Sequence, residues 1–414
     1  MIPNDPLLTH QWSLGLNGIN LVEAVKKKPI KTTVAIGIID TGVDYNHPDL
    51  KDNIWTNSLE IPGNNIDDDK NGYIDDIHGI RPLVWSGNPM DDQGHGTQVA
   101  GIIGAVANNG IGIAGIVPKI AIVPCKALDA QGKGKLAQSI ECLGYFLDLA
   151  ARSKDPVTFA AIYTSVRLAD PRLPSRVVEE CLKYGILLVA GAGSGGFDID
   201  KIPGLPDYPI EPNSLIVGAT DRFGALAPFS NFGKHSVHVL APGEDILTTF
   251  LSGEYRNLTD ASAAAAIVVG MAAYLKANDP TRDYATIKNL ILAGGEQTPS
   301  ASLTTISGRR VRLIDSNGIG ALSCHNQIVT RRIQPKTNPV TMKLGTSLRL
   351  VFRSHNCAKS VPPLPLALRY VNDIGKDGDV AGDGVYSGYF KPTSAGVYYL
   401  PIFADDTLTI KVVL

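Results

Sequence analysis

Short apolar runs alternate with longer helical patterns over residues 33–321. Five runs have the length and composition of buried strands: TTVAIGIID, IAIVPCKAL, FAAIYTS, GILLVAGAG and SLIVGAT. Helical patterns such as KLAQSIECLGYFLDLAARS and PSRVVEECLKYG lie between several of them. Strands that alternate with helices form a parallel sheet covered on both faces. The chain is therefore predicted to be an α/β protein with its site at the carboxyl ends of the strands.

The pattern changes near residue 327. Alternating runs, from TSLRLVFRS to LTIKVVL, are separated there by Gly, Pro and Asp turns. Short strands spaced by turn residues predict a small β-sandwich. The segment RRIQPKTNP is interpreted as a linker. We therefore expect two domains, an α/β domain over residues 1–326 and a β-sandwich over residues 327–414.

The composition is that of an ordinary globular protein. The 414 residues carry a net charge of −2, with 44% hydrophobic and 19% charged residues. A net charge this close to zero does not favour binding to nucleic acid. No apolar run approaches the length of a membrane span, and a monomer is expected. The N-terminal MIPNDPLLTHQW lacks the basic and apolar segments of a signal peptide. The chain is thus either a processed secreted or extracellular form, which we favour, or an intracellular protein.

The cysteine count is odd. None of the five cysteines forms a CxxC metal pair, so at least one is unpaired in a monomer. Cys324 and Cys357 are the favoured bridge. Cys125, Cys142 and Cys181 are expected to be lone buried thiols.

Three residues could form a nucleophilic site. Asp40 ends a predicted strand, His95 lies between two glycines before a helical run, and Ser262 opens the apolar helical run DASAAAAIVVG. A hydroxyl needs an imidazole to take its proton and a carboxylate to orient that imidazole. Taken locally, however, a serine at a helix start is more often a cap than a nucleophile. Residue types alone therefore leave both interpretations of Ser262 open.

The motifs around these residues resemble those of the subtilisin-like serine peptidases, which share this Asp, His, Ser order. The matching segments are DTGVDYNHPDL, GHGTQVAGIIGA, NNGIGIAGIVP, FSNFG and LAPG, and the resemblance covers roughly residues 3–321. It implies hydrolysis of peptide bonds through an acyl-enzyme. Ser262 would be the nucleophile, His95 the proton carrier and Asp40 the residue that orients His95.

The chain departs from the family where the oxyanion is bound. The family's oxyanion Asn is replaced by Ser194 in VAGAGSGG, and the Gly-Thr before the nucleophile is Asp260-Ala261. A serine hydroxyl can donate a hydrogen bond but reaches less far. Asp260 is either a helix cap or a negative charge near the developing oxyanion. The Ser262 backbone N–H is expected to remain as an oxyanion donor.

A further departure concerns the strands that would bind substrate. The family's Ser-x-Gly-Gly keeps Ser165 but has Arg167 and Leu168 at the glycines, while the opposing Gly132, Lys133 and Gly134 are retained. Two functions follow. The first is a serine endopeptidase, of ordinary or weak activity, acting on polypeptides. The second is a pseudoprotease that binds a protein partner.

Calcium is the expected cofactor. The loop NNIDDDKNGYIDDIHG has oxygen ligands at alternating positions and Gly at the sixth, like the first half of an EF-hand loop. The candidate ligands are Asp67, Asp69, Asn71, Tyr73 and Asp75. The bidentate Glu at the twelfth position of an EF-hand loop is missing, with Asp76 as a substitute. The alternative is a solvated acidic turn, but crowded carboxylates repel one another without a cation.

Two further loops bear on metal binding. The resemblance implies a second calcium site, formed by side chains and by backbone carbonyls. Its residues are Asp5, Asp49, Asn109, Val106, Ile111 and Ile113. In the C-terminal region, the Asp- and Gly-rich NDIGKDGDVAGDGVYSG is explained by turn formation almost as well as by a metal.

Overall fold

The computed structural model describes residues 3–165, 175–202, 213–234, 236–305, 307 and 309–313, together with seven strands between 330 and 413. The strands of the first region are β1 (Ala35–Asp40), β2 (Ala121–Lys126), β3 (Phe159–Thr164), β4 (Leu187–Gly191), β5 (Ser214–Thr220), β6 (Val239–Pro242), β7 (Ile246–Phe250), β8 (Glu254–Leu258), β9 (Glu296–Gln297) and β10 (Arg309–Arg310). The five predicted strands are β1 to β5, so their prediction is confirmed.

Eight of these strands form one sheet in the order β2-β1-β3-β4-β5-β6-β10-β9. Every pairing in it is parallel except that of β10 with β9. The sheet is therefore the predicted parallel α/β sheet. The strand order reverses direction at β1, which lies between β2 and β3. Ligand sites in open parallel sheets lie at such a reversal, beyond the carboxyl ends of the strands.

Seven α-helices among the described residues accompany the sheet. They are α1 (Leu21–Lys27), α2 (His95–Gly104), α3 (Leu136–Ala151), α4 (Ser175–Lys183), α5 (Ala261–Asn278), α6 (Tyr284–Ala293) and α7 (Pro299–Thr304). The apolar residues of α2 and α5 share one core cluster, and those of α3 and α4 share another. The sheet is thus covered on both faces, as a parallel sheet requires.

Strand β1 shows why Asp40 faces the side that carries α2. Ile36 and Ile38 pack in the cluster of α2 and α5, whereas Ile39 packs in that of α3 and α4. Between them, Gly37 lets α3 approach closely, because a Cβ there would lie 2.6 Å from Phe146. Side chains alternate between faces along a strand. Asp40 therefore points to the same face as Ile36 and Ile38.

Helix α5 is the central helix of the fold. Its residues are buried except Ser262 and Lys276, which agrees with the predicted all-round apolar helix. It is also the one described helix long and apolar enough to span a membrane, but 89% of that stretch is buried inside the protein. Burial of this kind is expected for a core helix.

The C-terminal region contains two sheets. One has the order β11-β13-β15-β14 and the other β12-β17-β16. The strands are β11 (Thr330–Gln334), β12 (Val340–Lys343), β13 (Leu348–Ser354), β14 (Leu368–Val371), β15 (Val385–Phe390), β16 (Gly396–Phe403) and β17 (Asp406–Val413). Two mainly antiparallel sheets agree with the all-β pattern predicted from residue 327 onward. The boundary at residues 326 and 327 stays a prediction.

The cysteine prediction is corrected at one point. Cys125 and Cys142 form a disulfide between β2 and α3, with their Cα atoms 5.8 Å apart. They had been expected to be free thiols. Cys125 faces the side of the sheet covered by α3, so the two cysteines meet across a packed interface. Cys181 is a free buried thiol, as predicted. Cys324 and Cys357 lie outside the described residues.

Candidate active site

Asp40 and His95 form a hydrogen-bonded pair at the carboxyl end of β1. His95 Nδ1 lies 2.8 Å from one Asp40 carboxylate oxygen and 2.9 Å from the other. The Asp40 side chain is fully buried, whereas the His95 side chain is 22% exposed. An ionised carboxylate only accepts hydrogen bonds. Nδ1 therefore carries a proton, and Nε2 is left to exchange protons with a substrate or nucleophile.

The start of α2 brings His95 to Asp40. Gly96 packs against the loop after β1, because a Cβ there would lie 2.0 Å from the Gly42 carbonyl oxygen. The Gly96 backbone N–H also donates to the Thr41 hydroxyl at 2.9 Å. Buried Lys126 reinforces the same loop by donating to the Thr41 carbonyl oxygen and to Asp92. This close approach explains Gly96, whereas Gly94 has φ 109° and a Cβ there would lie 2.3 Å from Phe250.

Charges around His95 favour its protonated form. Burial alone lowers the His95 pKa, but the charge and hydrogen bond of Asp40, with the charges of Asp260 and Asp91, outweigh it and raise the pKa to about 9. A histidine normally titrates near 6.5. His95 is therefore mostly an imidazolium at neutral pH, and it becomes a proton acceptor only under alkaline conditions.

Ser262 is the second residue of α5 and lies beside Tyr163. The Tyr163 phenol is fully buried at the end of β3 and makes no well-aligned hydrogen bond with any described residue. Burial and the charge of Asp40 raise its pKa well above the usual value, whereas the neighbouring Ser262 hydroxyl lowers it. No hydrogen bond joins Ser262 to His95 in the part of the chain that the structure describes. Such bonds often tighten only when substrate binds.

The amide expected to bind the oxyanion is already engaged. The Ser262 backbone N–H donates to the Asp260 carboxylate at 2.7 Å, and Asp260 is the N-cap of α5. The expectation of a free Ser262 amide is therefore not met in this conformation. The cause is local, since a carboxylate at an N-cap accepts from the N2 or N3 amide, and Ser262 is N2.

Ser194 follows β4 and is likewise hydrogen-bonded to the start of α5. Its hydroxyl oxygen accepts from the Ala261 backbone N–H at 3.0 Å. The structure thus brings Ser194 next to the nucleophile position, where the oxyanion residue was predicted. The hydroxyl hydrogen is left for another acceptor, because a serine hydroxyl both donates and accepts.

The predicted substrate-binding residues that the structure describes are exposed. Ser165 follows β3, and its hydroxyl donates to the Ile39 carbonyl oxygen at 3.0 Å. Gly132, Lys133 and Gly134 are exposed, and Lys133 closes a turn in which its carbonyl accepts from the Asp129 N–H at 2.8 Å. Arg167 and Leu168 lie outside the described residues.

The first predicted calcium loop gathers carboxylates. Carboxylate oxygens of Glu60, Asp67 and Asp69 lie within 4.8 Å of one another. Burial raises the pKa of Glu60, which is consistent with crowding of acids. Asp75 instead accepts from the backbone N–H groups of residues 63 and 65. Glu60 was not among the predicted ligands because it lies seven positions before the motif begins.

Other residues of this loop form hydrogen bonds with one another. Asn71 donates from its side chain to Asp76 at 3.0 Å, and its amide oxygen accepts from the Tyr73 backbone N–H. Asp76 is fully buried, and burial raises its pKa to about 7. Hard oxygen donors of this kind suit calcium.

Asp5, Asp49 and Asn109 of the second predicted calcium site lie on segments that contact one another. Asp49 is fully buried and accepts from the Asn109 side chain at 2.7 Å and from the Ile113 backbone N–H at 2.9 Å. One oxygen of buried Asp5 accepts from a backbone N–H, while the other has no partner among the described residues. An orphaned buried carboxylate oxygen is unfavourable without a donor or a cation. The donor set therefore fits a bound cation.

The other members of this set lie on one loop. The backbone N–H of Val106 donates to the Asp49 carbonyl oxygen at 2.8 Å, and that of Ile111 donates to the Asn109 side chain at 3.0 Å. These bonds hold the loop against Asp49. The backbone carbonyls predicted to bind calcium therefore belong to a segment that is fixed next to Asp49.

Comparison with known proteins agrees with this geometry. The model of the subtilase family matches residues 31–303, a span that includes Asp40, His95 and Ser262. The chain belongs to the subtilase family. Subtilisin-like protease 1 of Plasmodium berghei is 31% identical over 307 residues, which are 70% of this chain and 50% of that protein. A thermophilic serine proteinase of Bacillus sp. AK1 is 34% identical over 240 residues, 58% of this chain and 51% of that one.

This subtilase therefore spans about half the length of the curated relatives it matches. Among solved structures, a protease from Pseudoalteromonas arctica superposes with a TM-score of 0.60 at 23% identity, covering 77% of this chain and 99% of that one. A cold-adapted subtilisin-like serine proteinase gives a TM-score of 0.51 at 20% identity, covering 68% and 88%. At these identities the likeness establishes the fold.

One residue of the subtilase site was missed from sequence. Tyr163 is an apolar strand residue by pattern, yet its hydroxyl faces Ser262. The signal was present, because a tyrosine in a strand buried along its whole length needs a partner for its hydroxyl. The sequence does not show which residue lies next to the tyrosine hydroxyl. The packing of β3 against α5 shows that it is Ser262.

Proposed function

We propose that this chain is a serine endopeptidase of low intrinsic activity. The observation that carries the proposal is the pairing of His95 Nδ1 with Asp40 at 2.8 Å, together with a half-buried serine in the first turn of α5. Ser262 Oγ attacks the carbonyl carbon of a peptide bond. His95 Nε2 takes the hydroxyl proton and passes it to the leaving amine, while Asp40 stabilises the imidazolium. Water then releases the acyl group by the same route.

The low activity follows from the oxyanion donors. In the described conformation the Ser262 amide donates to Asp260, and Ser194 accepts from Ala261. Losing one oxyanion donor costs about 2.7–4 kcal/mol of transition-state stabilisation. Since enzymes supply at least about 8 kcal/mol, slow turnover survives such a loss. Polypeptides are the proposed substrates.

A second candidate is a pseudoprotease that binds a protein partner. The contact between Asp260 and the Ser262 amide favours it, because a carboxylate there opposes the charge that develops during hydrolysis. Reaction with a fluorophosphonate probe separates the two candidates. The endopeptidase labels at Ser262 and cleaves casein over hours with calcium present, and Ser262→Ala loses both. Labelling that is equal in the wild type and in Ser262→Ala would reject the first candidate.

Calcium is the proposed cofactor. The cluster of Glu60, Asp67 and Asp69 and the orphaned oxygen of Asp5 support two sites. Bound calcium would neutralise these carboxylates and fix the loops that carry them. Isothermal titration with calcium on the chelator-treated protein tests the number of sites. Heat signals absent at millimolar calcium would reject the proposal.

We further propose that the protein is secreted and monomeric. The disulfide between Cys125 and Cys142 supports an oxidising compartment, because cytosolic thiols are kept reduced. Fractionation of the producing cells, followed by immunoblotting, tests the location, and light scattering tests the molecular mass in solution.

The unit over residues 327–414 is proposed to fold separately. Well-dispersed amide NMR signals from that fragment alone would support it, and a collapsed spectrum would count against it.

A further inference from the structure

The N-terminus of α5 contains two backbone N–H groups that point toward the site, and both have acceptors within the chain. The Ser262 N–H donates to Asp260 at 2.7 Å and the Ala261 N–H donates to Ser194 at 3.0 Å. An oxyanion is bound by amides of this kind at a helix N-terminus. The resting site therefore already contains a negatively charged oxygen on one of its donors.

We propose that the Asp260 carboxylate is an internal mimic of the reaction's oxyanion, which holds the Ser262 amide until a substrate carbonyl displaces it. This inference rests on the proposed function. Asp260 then acts as a positioning residue with an inhibitory role, because it acts on the reaction through the Ser262 amide. The substrate must compete with a charge-assisted hydrogen bond, and such bonds are about twice as strong as neutral ones.

The backbone at position 260 does not require an aspartate. The Asp260 backbone is extended, with φ −165° and ψ 157°, and its N–H donates to the Gly243 carbonyl oxygen at 2.9 Å. A residue of any type adopts this conformation. The identity of the side chain is therefore not dictated by backbone strain, and what the carboxylate adds is its bond to Ser262 and its charge near His95.

Helix capping alone is the competing explanation, and the chain offers a matched control for it. Asp283 is also an aspartate N-cap, that of α6, and it accepts from the Thr286 N–H, the N3 amide, at 2.7 Å, whereas Asp260 accepts from an N2 amide. Replacing an N-cap aspartate by glycine costs only a few tenths of a kcal/mol. Asp260→Gly and Asp283→Gly therefore each remove one carboxylate cap from a helix, and only the first frees the amide of the nucleophile residue.

The test measures the second-order rate of fluorophosphonate labelling on the full chain with calcium present. We expect Asp260→Gly to label about 10²-fold faster than the wild type, as gain of one oxyanion donor implies, and Asp283→Gly to label at the wild-type rate. Asp260→Ser retains a hydroxyl cap without the charge, and we expect it to label faster as well. Ser262→Ala defines the background.

The pH profile gives a second readout that capping does not affect. Asp40, Asp91 and Asp260 are the charges that raise the His95 pKa. Removing Asp260 should move the midpoint of the labelling profile to lower pH, whereas Asp283→Gly should leave it unchanged.

Each outcome decides between the proposals. Wild type and Asp260→Gly labelling alike, both well above Ser262→Ala, would overturn the mimic and leave the endopeptidase standing. Folded wild type and Asp260→Gly that both label no faster than Ser262→Ala would overturn both. Equal acceleration by Asp260→Gly and Asp283→Gly would assign the effect to capping and overturn the mimic.

Discussion

Asp40 holds His95 through both of its carboxylate oxygens, at 2.8 and 2.9 Å from Nδ1, while its own side chain has no exposed surface. The Thr41 backbone N–H adds a hydrogen bond to the same carboxylate at 2.6 Å. A buried and hydrogen-bonded carboxylate is a fixed negative charge beside the imidazole. It sets both the tautomer of His95 and the pH at which His95 becomes a base.

The first prediction concerns pH. With the His95 pKa near 9, kcat/KM should rise with pH to a midpoint near 9, because only neutral His95 takes the Ser262 proton. At pH 7 the rate should be about a hundredfold below its plateau. Rates of peptide cleavage between pH 6 and 10 check this. A midpoint near 6.5 would show that the surrounding carboxylates do not act on His95 as described.

The second prediction concerns Tyr163. Its hydroxyl is an alternative neighbour for the Ser262 hydroxyl, and it has no well-aligned partner of its own among the described residues. Tyr163→Phe should leave stability nearly unchanged and raise the labelling rate. The gain should be about 2–10-fold, the equivalent of one ordinary hydrogen bond. A rate below the wild type would mean that the tyrosine positions Ser262 productively.

The positions of the candidate residues on their strands and helices could be predicted from short-range rules, whereas their catalytic roles were inferred from the resemblance to the subtilisin-like peptidases. Asp40 ends a strand whose alternation sets its face, and Ser262 opens a helix whose composition requires burial. Gly96 after His95 lets α2 pack against the loop after β1, and Gly94 before it has a positive φ. Such positions are constrained by backbone geometry, so their motifs are recognisable without the structure.

Other features depend on side-chain contacts between distant segments. The bond from Ser262 to Asp260 needs the side-chain orientation at the cap, and the pairing of Cys125 with Cys142 needs the distance between β2 and α3. Glu60 joins the acidic cluster from outside the recognisable motif. Spacing along the chain carries no information about these contacts, which explains why Cys125 and Cys142 were wrongly predicted to be lone thiols and why Tyr163 was missed.

The third prediction concerns calcium. Ligands that bind only the folded state add about 2.7 kcal/mol to the free energy of unfolding at a concentration of 100 Kd. Calcium should therefore raise the melting temperature, and Asp67→Asn should reduce the rise. Asp52→Asn, an exposed acidic residue of the same region, is the control. Differential scanning calorimetry with calcium and with chelator checks this, and identical midpoints would contradict it.

The fourth prediction concerns the disulfide. Cys125 and Cys142 are 17 positions apart, so their bond restricts the unfolded chain by about 3 kcal/mol. The double variant Cys125→Ala/Cys142→Ala should unfold at lower urea concentration than the wild type. Cys181→Ala, which removes a buried free thiol, should have a smaller effect. Equal losses would show that the cysteines act through packing alone.

The fifth prediction concerns Ser194. Its hydroxyl oxygen accepts from the Ala261 N–H at 3.0 Å, and its side chain is exposed at the rim of the site. An asparagine there has one acceptor oxygen and two amide donors. Ser194→Asn can therefore keep the bond from Ala261 and, with its longer side chain, extend a donor toward the oxyanion.

Ser194→Asn should raise kcat by up to about 10²–10³-fold with little change in KM, because an oxyanion donor acts mainly in the transition state. Ser252→Asn, the same replacement at an exposed serine with φ 61°, should leave both constants unchanged. Casein cleavage with calcium present checks this over hours.

Because Ser194 and Asp260 act on the same oxyanion, the effects of changing them should not be additive in free energy. Asp260→Gly combined with Ser194→Asn should therefore gain less than the product of the two single gains. A fully multiplicative gain would show that Ser194 and Asp260 act on separate steps.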